Sequence, residues 1–127
     1  MHRVLLLRHA KSSRSDTGLE DHERPLSKRG MADARRMAKF LAHGEGPGVD
    51  LVLCSSALRA RQTWAQIEQR LSPPHGVRVL RELYLSSIEV LFRCLAQVPA
   101  RVNTVMIVGH NPSLEAFALA LSRAVEA

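Results

Sequence analysis

Two histidines of the chain each lie one residue beyond the end of an apolar run. Arg8 and His9 come after the apolar residues 4–7, and His110 comes after the largely apolar residues 102–108 and a glycine. A neutral imidazole can attack phosphorus, and a guanidinium binds phosphate oxygens through two parallel N–H donors. These residue types therefore indicate chemistry on a phosphoryl group or a similar anion.

A metal is not expected among these groups. Divalent cations prefer neutral imidazoles, carboxylates or thiolates and are repelled by guanidinium, and no carboxylate cluster accompanies His9 or His110. A single histidine is more often a packing or surface residue than a catalyst. On that ground the remaining histidines are set aside: His2, His22, His43 and His75.

The elements that must position these residues alternate along the chain. Apolar runs predict buried strands at residues 4–7, 50–54 and 102–108, with a weaker strand at 77–80. Apolar residues at helical spacing follow each strand. The alternation predicts an α/β fold, a three-layer α/β/α sandwich around a mostly parallel sheet, as a single domain over residues 1–127.

Serines mark the predicted helix starts. We expect Ser27 to cap the first helix, and Ser55 or Ser56 to cap a second helix that continues to Leu71. Ser86 is expected to form a capping box with Glu89 for the third helix, and Pro112 suits the first turn of the last one. Residues 13–25 are polar and without period, which predicts a loop.

The carboxyl ends of the strands are the expected site. In open α/β sheets ligands bind just beyond those ends. If the first, second and last strands are neighbours, one crevice collects Arg8, His9, Ser55, Arg59 and His110. A guanidinium in the first turn of a helix favours an anion there, although a surface ion pair accounts for Arg59 equally well at this point.

The crevice suggests a covalent mechanism. Nearby positive charge keeps an imidazole neutral, so His9 could attack phosphorus and form a phosphohistidine that water later hydrolyses. An alkoxide leaving group would need a proton, and Glu82 is the candidate acid. A pairing of Glu82 with Arg78 or Arg81 at the surface fits its spacing equally well.

Composition limits the partners. The chain has 127 residues, a formal net charge of +6 and 46% hydrophobic residues, of which few are aromatic. The charge could attract nucleic acid, an acidic protein or a phosphorylated substrate, but no interleaved aromatic residues support nucleic-acid binding. No apolar run reaches the roughly 20 residues that cross a bilayer. We predict a cytoplasmic protein without membrane association, with Cys54 and Cys94 as reduced core thiols.

Four segments carry a family resemblance. Residues 7–12 (LRHAKS) resemble the Arg-His-Gly signature of the histidine phosphatase (phosphoglycerate mutase-like) superfamily, with Ala10 in place of the glycine. Residues 24–30 (RPLSxxG), 55–63 (SSxLRAxQT) and 108–112 (VGHNP) follow in the family's order. Together the segments span most of the chain. The short length and the Arg-Pro-Leu-Ser segment most resemble the SixA-type phosphohistidine phosphatases.

The resemblance implies roles for these residues. His9 is the implied nucleophile, Arg8, Arg59 and His110 form the implied phosphate pocket, and no metal or other cofactor is implied. Ser12 and Arg24 join the candidate substrate-binding residues, and Glu82 aligns with the acid of the larger mutase-like enzymes. Family members usually continue past the last helix into a further strand, which this sequence does not include.

Three functions remain open on the sequence. The first is a metal-independent phosphatase of protein phosphohistidine, favoured because the chain has little inserted sequence to build a cap over the crevice. The second is a phosphatase of small phosphomonoesters, such as sugar or nucleotide phosphates. The third is a non-catalytic phosphate-binding module.

Overall fold

The fold is built on four parallel strands. The computed structural model describes residues 3–14, 18–44 and 48–126. Its strands are β1 (Arg3–Arg8), β2 (Leu51–Ser55), β3 (Val77–Leu80) and β4 (Thr104–Gly109). They lie in the order β1-β4-β2-β3.

Four helices cover the two faces of the sheet: α1 (Lys28–His43), α2 (Leu58–Ile67), α3 (Ile88–Ala96) and α4 (Ser113–Glu126). Helices α1 and α2 pack together on one face, and α3 and α4 pack on the other. Short 3-10 helices occur at Asp21–Glu23 and Arg81–Leu83. The predicted three-layer α/β/α sandwich with a parallel sheet is confirmed.

The core lies on both sides of the central strands because their side chains alternate between the faces. Leu53 and Ile107 pack with Phe117 on the α3/α4 side, whereas Cys54 and Met106 belong to the cluster on the α1/α2 side. Every residue of β2 and β4 is buried, as a parallel sheet covered on both faces requires. Both cysteines are free and buried, and burial raises the pKa of the Cys54 thiol to about 12.

Two of the predicted helix caps are wrong, and one helix is shorter than expected. Ser27 caps α1 as predicted, since its Oγ accepts from the Gly30 amide at 3.0 Å. Ala57, not a serine, is the N-cap of α2, and Ser87 rather than Ser86 caps α3. Helix α2 ends at Ile67 instead of continuing to Leu71.

Tertiary contacts of the serine hydroxyls explain the cap errors. Ser55 is the last residue of β2, and its Oγ bonds to a ring nitrogen of His110. Ser56 Oγ bonds to Nε2 of His22, and Ser86 Oγ bonds to Ser113 on α4. These hydroxyls form hydrogen bonds with side chains that are distant in the sequence. The spacing of residues along a single helix does not indicate such contacts.

The predicted loop over residues 13–25 includes Ser15, Asp16 and Thr17, which lie outside the described residues, as do His2 and Ala127. The described part of this loop contains the short helix Asp21–Glu23. Within the described ranges, every helix is too short or too polar to cross a membrane.

Candidate active site

The order of the strands brings the two predicted histidines together. Strand β4 lies between β1 and β2, so the carboxyl ends of all three strands meet at one edge of the sheet. His9 follows β1 and His110 follows β4. Their ring centroids are 5.0 Å apart, and the planes are tilted by 55°.

Hydrogen bonds fix the tautomer of His9. Its Nδ1 lies 2.7 Å from the carbonyl oxygen of Ala10, which can only accept, so Nδ1 carries the proton. Its Nε2 then bears the lone pair and accepts from Nε of Arg59 at 3.3 Å. Burial, followed by the charges of Arg59, Arg8 and Arg24, lowers the pKa of His9 below the usual 6.5. The imidazole is therefore neutral near pH 7, and the lone pair on Nε2 faces the guanidinium of Arg59.

Thr63 connects His9 to the helix that carries Arg59. The amide of Ala10 donates to Oγ1 of Thr63 at 3.1 Å, and that hydroxyl donates to the carbonyl of Arg59 at 2.8 Å. Both Arg59 and Thr63 are buried on α2. The backbone beside His9 and the first turn of α2 are thus held at a fixed distance.

Arg59 is a buried cation that is bound on several sides. Its side chain reaches Asp21, where Nη1 donates to the main-chain oxygen at 2.6 Å and Nη2 donates to Oδ2 at 3.1 Å. Its Cζ lies 5.8 Å from the ring centroid of Tyr84. The guanidinium is therefore oriented by fixed partners, with Nε directed at His9.

Asp21 and Tyr84 are site residues that the sequence analysis missed. Oδ2 of Asp21 accepts from the Tyr84 hydroxyl at 2.5 Å as well as from Arg59, and Oδ1 of Asp21 is 2.8 Å from Nη2 of Arg24. The bond from Tyr84, followed by those from Arg24 and Arg59, holds the pKa of Asp21 well below its usual range. The spacing of Asp21 three residues before Arg24 was the only sequence signal.

His110 is the most buried imidazole of the site, with 7% of its surface exposed. Burial, and then the nearby His9 and Arg59, lower its pKa to about 4, so it is neutral near pH 7. Its Nε2 lies 2.7 Å from Oγ of Ser55, which also accepts from the Ala57 amide. Because the Ser55 oxygen already accepts from the Ala57 amide, its own hydrogen can be donated to Nε2, and the ring hydrogen then lies on Nδ1.

The Nδ1 atom of His110 has no hydrogen-bond partner, alone among the buried side-chain nitrogen and oxygen atoms in the described part of the chain. A buried polar atom without a partner is costly, so in the working protein such an atom is expected to bind an ordered water, an ion or a ligand. An Nδ1–H donor beside the rings of His9 and Tyr84 suits an oxygen atom of an anion.

The other predicted binding residues surround this centre. Arg8 is the exposed last residue of β1, and its charge helps to lower the pKa of His9. Ser12 and Arg24 contact each other, with Nη1 of Arg24 donating to Ser12 Oγ at 3.0 Å. Arg24 also binds Asp21, so it belongs to the same hydrogen-bonded network as Arg59.

Glu82 is not brought into that network. Its side chain is exposed and lines neither a cavity beside His9, nor one beside His110, nor one beside Asp21. Its charge raises the pKa of the Cys94 thiol, as the second cause after burial. Its role as an acid stays a prediction. His22, which the sequence analysis set aside, instead packs edge-on against Tyr84 and bonds to Ser56.

Each of the two imidazoles lines a cavity of its own. The first, here called the cationic cavity, has a volume of about 630 Å³ and is lined by His9, Arg8, Lys11 and Arg14 together with serines. The second, the apolar cavity, has a volume of about 360 Å³ and is lined by Arg59, His110 and Tyr84 with Leu85, Ile88 and Pro112. A phosphoryl group at Nε2 of His9 would lie between two spaces of different chemistry.

Metal binding finds no ready set of ligands here. Among the described residues, no three His, Cys, Asp or Glu side chains are grouped so that they could hold a metal ion. The carboxylate of Asp21, which is linked to His9 through Arg59, is already bound by the guanidinium groups of Arg24 and Arg59. The arrangement suits an anion.

The fold and this edge of the sheet are those of a known class. Residues 4–126 match the model of the histidine phosphatase superfamily, branch 1. The chain belongs to that superfamily. At the level of the fold alone, it also resembles a phosphoglycerate mutase of Plasmodium falciparum, with 16% identity, a TM-score of 0.65, and coverage of all of this chain and 77% of the other.

Within the superfamily the chain is similar to SixA proteins. It is 36% identical to a putative phosphohistidine phosphatase SixA of Nakamurella multipartitia, with a TM-score of 0.80 over 91% of this chain, and spans only 63% of that protein's chain. For the putative SixA of Agrobacterium tumefaciens the identity is 34% and the TM-score is 0.85, over 94% of this chain and 76% of the other.

The chain is also similar to another SixA protein and to a mycobacterial protein. A protein histidine phosphatase SixA complexed with tungstate is 27% identical, with a TM-score of 0.79, over 91% of this chain and 73% of the other. An uncharacterised protein of Mycobacterium tuberculosis is 38% identical over 91% of this chain and 70% of its own length. The family predicted from the four sequence segments is confirmed.

Proposed function

We propose that this protein is a metal-independent phosphatase that transfers a phosphoryl group from a protein phosphohistidine to Nε2 of His9 and then to water. The observation that carries the proposal is the state of His9. Its Nδ1 is tied to the Ala10 carbonyl, and its Nε2 holds a lone pair beside the guanidinium of Arg59. That is the arrangement of an activated nucleophile next to a stabilising cation.

The reaction has two balanced steps. In the first, the lone pair on Nε2 of His9 forms a bond to phosphorus while the N–P bond of the substrate breaks. The phosphohistidine ring of the substrate is protonated on its second nitrogen, so the electron pair of the broken bond leaves with a neutral imidazole. In the second step a water molecule attacks phosphorus, the bond to His9 breaks, and inorganic phosphate leaves.

The other site residues have matching roles in the proposal. Arg8 and Arg59 neutralise the charge on the phosphoryl oxygens, and the Nδ1–H of His110 supplies a donor that otherwise lacks a partner. Arg24 and Ser12 lie at the edge of the pocket and are bound to each other. Asp21 positions Arg59 through two hydrogen bonds.

The leaving group favours phosphohistidine over an alkyl phosphate. Expulsion of an alkoxide needs an acid, and the carboxyl group in contact with the site, Asp21, has a lowered pKa and is ionised near pH 7. An imidazole has a reference pKa of about 6.5 and needs far less help. Similarity to SixA proteins of 34% and 36% identity supports the same substrate class.

A small phosphomonoester is the second candidate substrate. The apolar cavity beside His110 and Tyr84 favours it, because a volume of about 360 Å³ suits the organic part of a small molecule. The two candidates share the phosphohistidine intermediate at His9 and differ in the need for an acid. A cytoplasmic location, without a nucleic-acid partner, stays a prediction for either.

The test is to trap the intermediate. After mixing with a phosphohistidine peptide and quenching in base, the wild-type protein should carry phosphate that acid releases and base does not. The variant His9→Ala should carry none and should release no inorganic phosphate. The matched control is His43→Ala, at an exposed position at the end of α1, which should behave as the wild type.

Other results would overturn the proposal. Turnover that survives in His9→Ala would remove His9 from the nucleophile role. Salt-sensitive binding of the phosphopeptide with no phosphate release from the wild type would indicate a binding module instead. Faster release from sugar or nucleotide phosphates than from phosphohistidine would select the second candidate.

A further inference from the structure

The cationic cavity is larger and more basic than a phosphoryl group requires. Of its cations, Arg8 is the last residue of β1 and binds the phosphoryl oxygens in the function proposed above. Lys11 and Arg14 also line the cavity, and both are exposed. A phosphorus atom with its oxygens fills only a fraction of about 630 Å³, since one water molecule takes about 30 Å³. Charge and space therefore remain for another part of the substrate.

The wall of this cavity is held in place by main-chain hydrogen bonds. The carbonyl of Lys11 accepts from the amide and the hydroxyl of Ser27, at 2.9 and 3.1 Å. The amide of Ser13 donates to the carbonyl of Pro25 at 2.8 Å. Because the backbone under Lys11 is fixed, only its side chain must become ordered when a ligand binds, which lowers the entropic cost of binding.

The chemistry of the lining selects the kind of ligand. None of the described residues that line the cavity is a carboxylate, and apart from the imidazole of His9 none carries an aromatic ring. The remaining polar groups are the hydroxyls of Ser12, Ser13 and Ser27. Ammonium, guanidinium and hydroxyl groups suit carboxylates, whereas the bases of a single-stranded nucleic acid need aromatic side chains on which to stack.

We propose that the cationic cavity binds acidic residues next to the phosphorylated residue of a protein substrate. Lys11 and Arg14 are specificity-determining residues in this assignment, and they act on binding rather than on the chemical step. The assignment rests on the proposed function, and it adds a charge preference in the flanking sequence of the substrate.

The experiment compares two phosphohistidine peptides that differ only in their flanks, Asp and Glu in one and Asn and Gln in the other. For the wild type we expect a roughly tenfold higher kcat/KM on the acidic peptide, because a few exposed ion pairs together contribute about that much. The difference should lie mainly in KM. The preference should weaken with rising salt. The double variant Lys11→Gln/Arg14→Gln should lose it and keep wild-type turnover of free phosphohistidine.

A matched control removes the same charge elsewhere. Lys39 lies on α1 away from its first turn, Arg70 follows α2, and both are exposed. The variant Lys39→Gln/Arg70→Gln should retain the preference for the acidic peptide. If it loses the preference as strongly as Lys11→Gln/Arg14→Gln does, net charge and not the cavity is responsible, and the assignment is wrong.

Further outcomes separate this inference from the proposed function. Equal kcat/KM on both peptides in the wild type would overturn the inference and leave the phosphatase proposal intact. If no phosphohistidine compound is hydrolysed, the proposed function fails, and binding of the unphosphorylated acidic peptide, measured by fluorescence anisotropy, decides the inference. Stronger inhibition by a random RNA oligonucleotide than by polyglutamate would indicate that the cavity prefers nucleic acid, and the assignment of acidic protein residues would be wrong.

Discussion

Nε of Arg59 donates to Nε2 of His9 across 3.3 Å. Arg59 comes from the first turn of α2 and His9 from the end of β1, so this contact joins two residues that are distant in the sequence. It fixes which nitrogen of His9 bears the lone pair, and it places a cation where negative charge develops during phosphoryl transfer.

Arg59→Lys should lower kcat on a phosphohistidine peptide by roughly 100- to 1,000-fold, the usual loss when one donor to transition-state charge is removed. Lysine keeps the charge but cannot direct several fixed N–H groups at His9 and Asp21 together. Steady-state phosphate release is the measurement. Arg61→Lys, an exposed position on the same helix, is the matched control. A loss below threefold would contradict the role of the guanidinium.

The pH profile should show the lowered pKa of His9. Attack requires the neutral imidazole, so activity is present above its pKa and is lost as the pH falls through it. Because the pKa lies below the usual 6.5, the acid limb of kcat/KM should have its midpoint below pH 6.5. Non-enzymatic hydrolysis of the substrate is subtracted at each pH. An acid limb centred above pH 6.5 would contradict the lone-pair assignment.

Asp21→Asn and Glu82→Gln should separate the two carboxylates. Asp21→Asn removes a charged acceptor from Arg59, Arg24 and Tyr84, so we expect a loss of roughly 10-fold or more in kcat/KM for a phosphohistidine peptide. Glu82→Gln should leave that rate nearly unchanged. If Glu82 is an acid, the same variant should slow alkyl phosphates far more, and equal effects on both substrates would remove it from that role.

Ser55→Ala should lower activity through His110. Without the hydroxyl, Nε2 loses its partner at 2.7 Å and the ring no longer has a preferred tautomer. We expect kcat to fall by roughly 10-fold, about the value of one buried hydrogen bond, and Ser55→Thr to restore most of it. The pH profile should change in Ser55→Ala, which a purely structural defect would not cause. Unchanged kcat and an unchanged profile would refute the assignment.

Gly30→Ala should destabilise the protein although it lies within a helix. In an open helix the change stabilises by up to about 1 kcal/mol. Here an added Cβ would lie 2.1 Å from the main-chain oxygen of Lys11, so the backbone must move. We expect the free energy of unfolding to fall by about 1–3 kcal/mol in urea denaturation. Gly48→Ala, where no atom lies within 4 Å of the added Cβ, is the control, and an equal effect in both would refute the contact.

The sequence predicted the site residues that lie at the ends of strands, because the pattern of apolar residues indicates where the strands are. His9 and His110 follow β1 and β4, and Ser55 ends β2. Parallel strands in one sheet end at a common edge, so the convergence of these residues needed only the strand order. Asp21 and Tyr84 lie in segments without period, and their positions depend on long-range hydrogen bonds that spacing does not encode. The cap errors at Ser55 and Ser86 have the same cause.

The carboxylate of Asp21, bound by both Arg24 and Arg59, has a consequence for the protein before any substrate arrives. Two guanidinium groups converging on an empty pocket would repel each other, and the buried one would be costly without a counter-ion. With an internal anion already in place, the polypeptide can assemble its cationic centre unaided, and an incoming phosphoryl group meets a preassembled receptor that is still net positive.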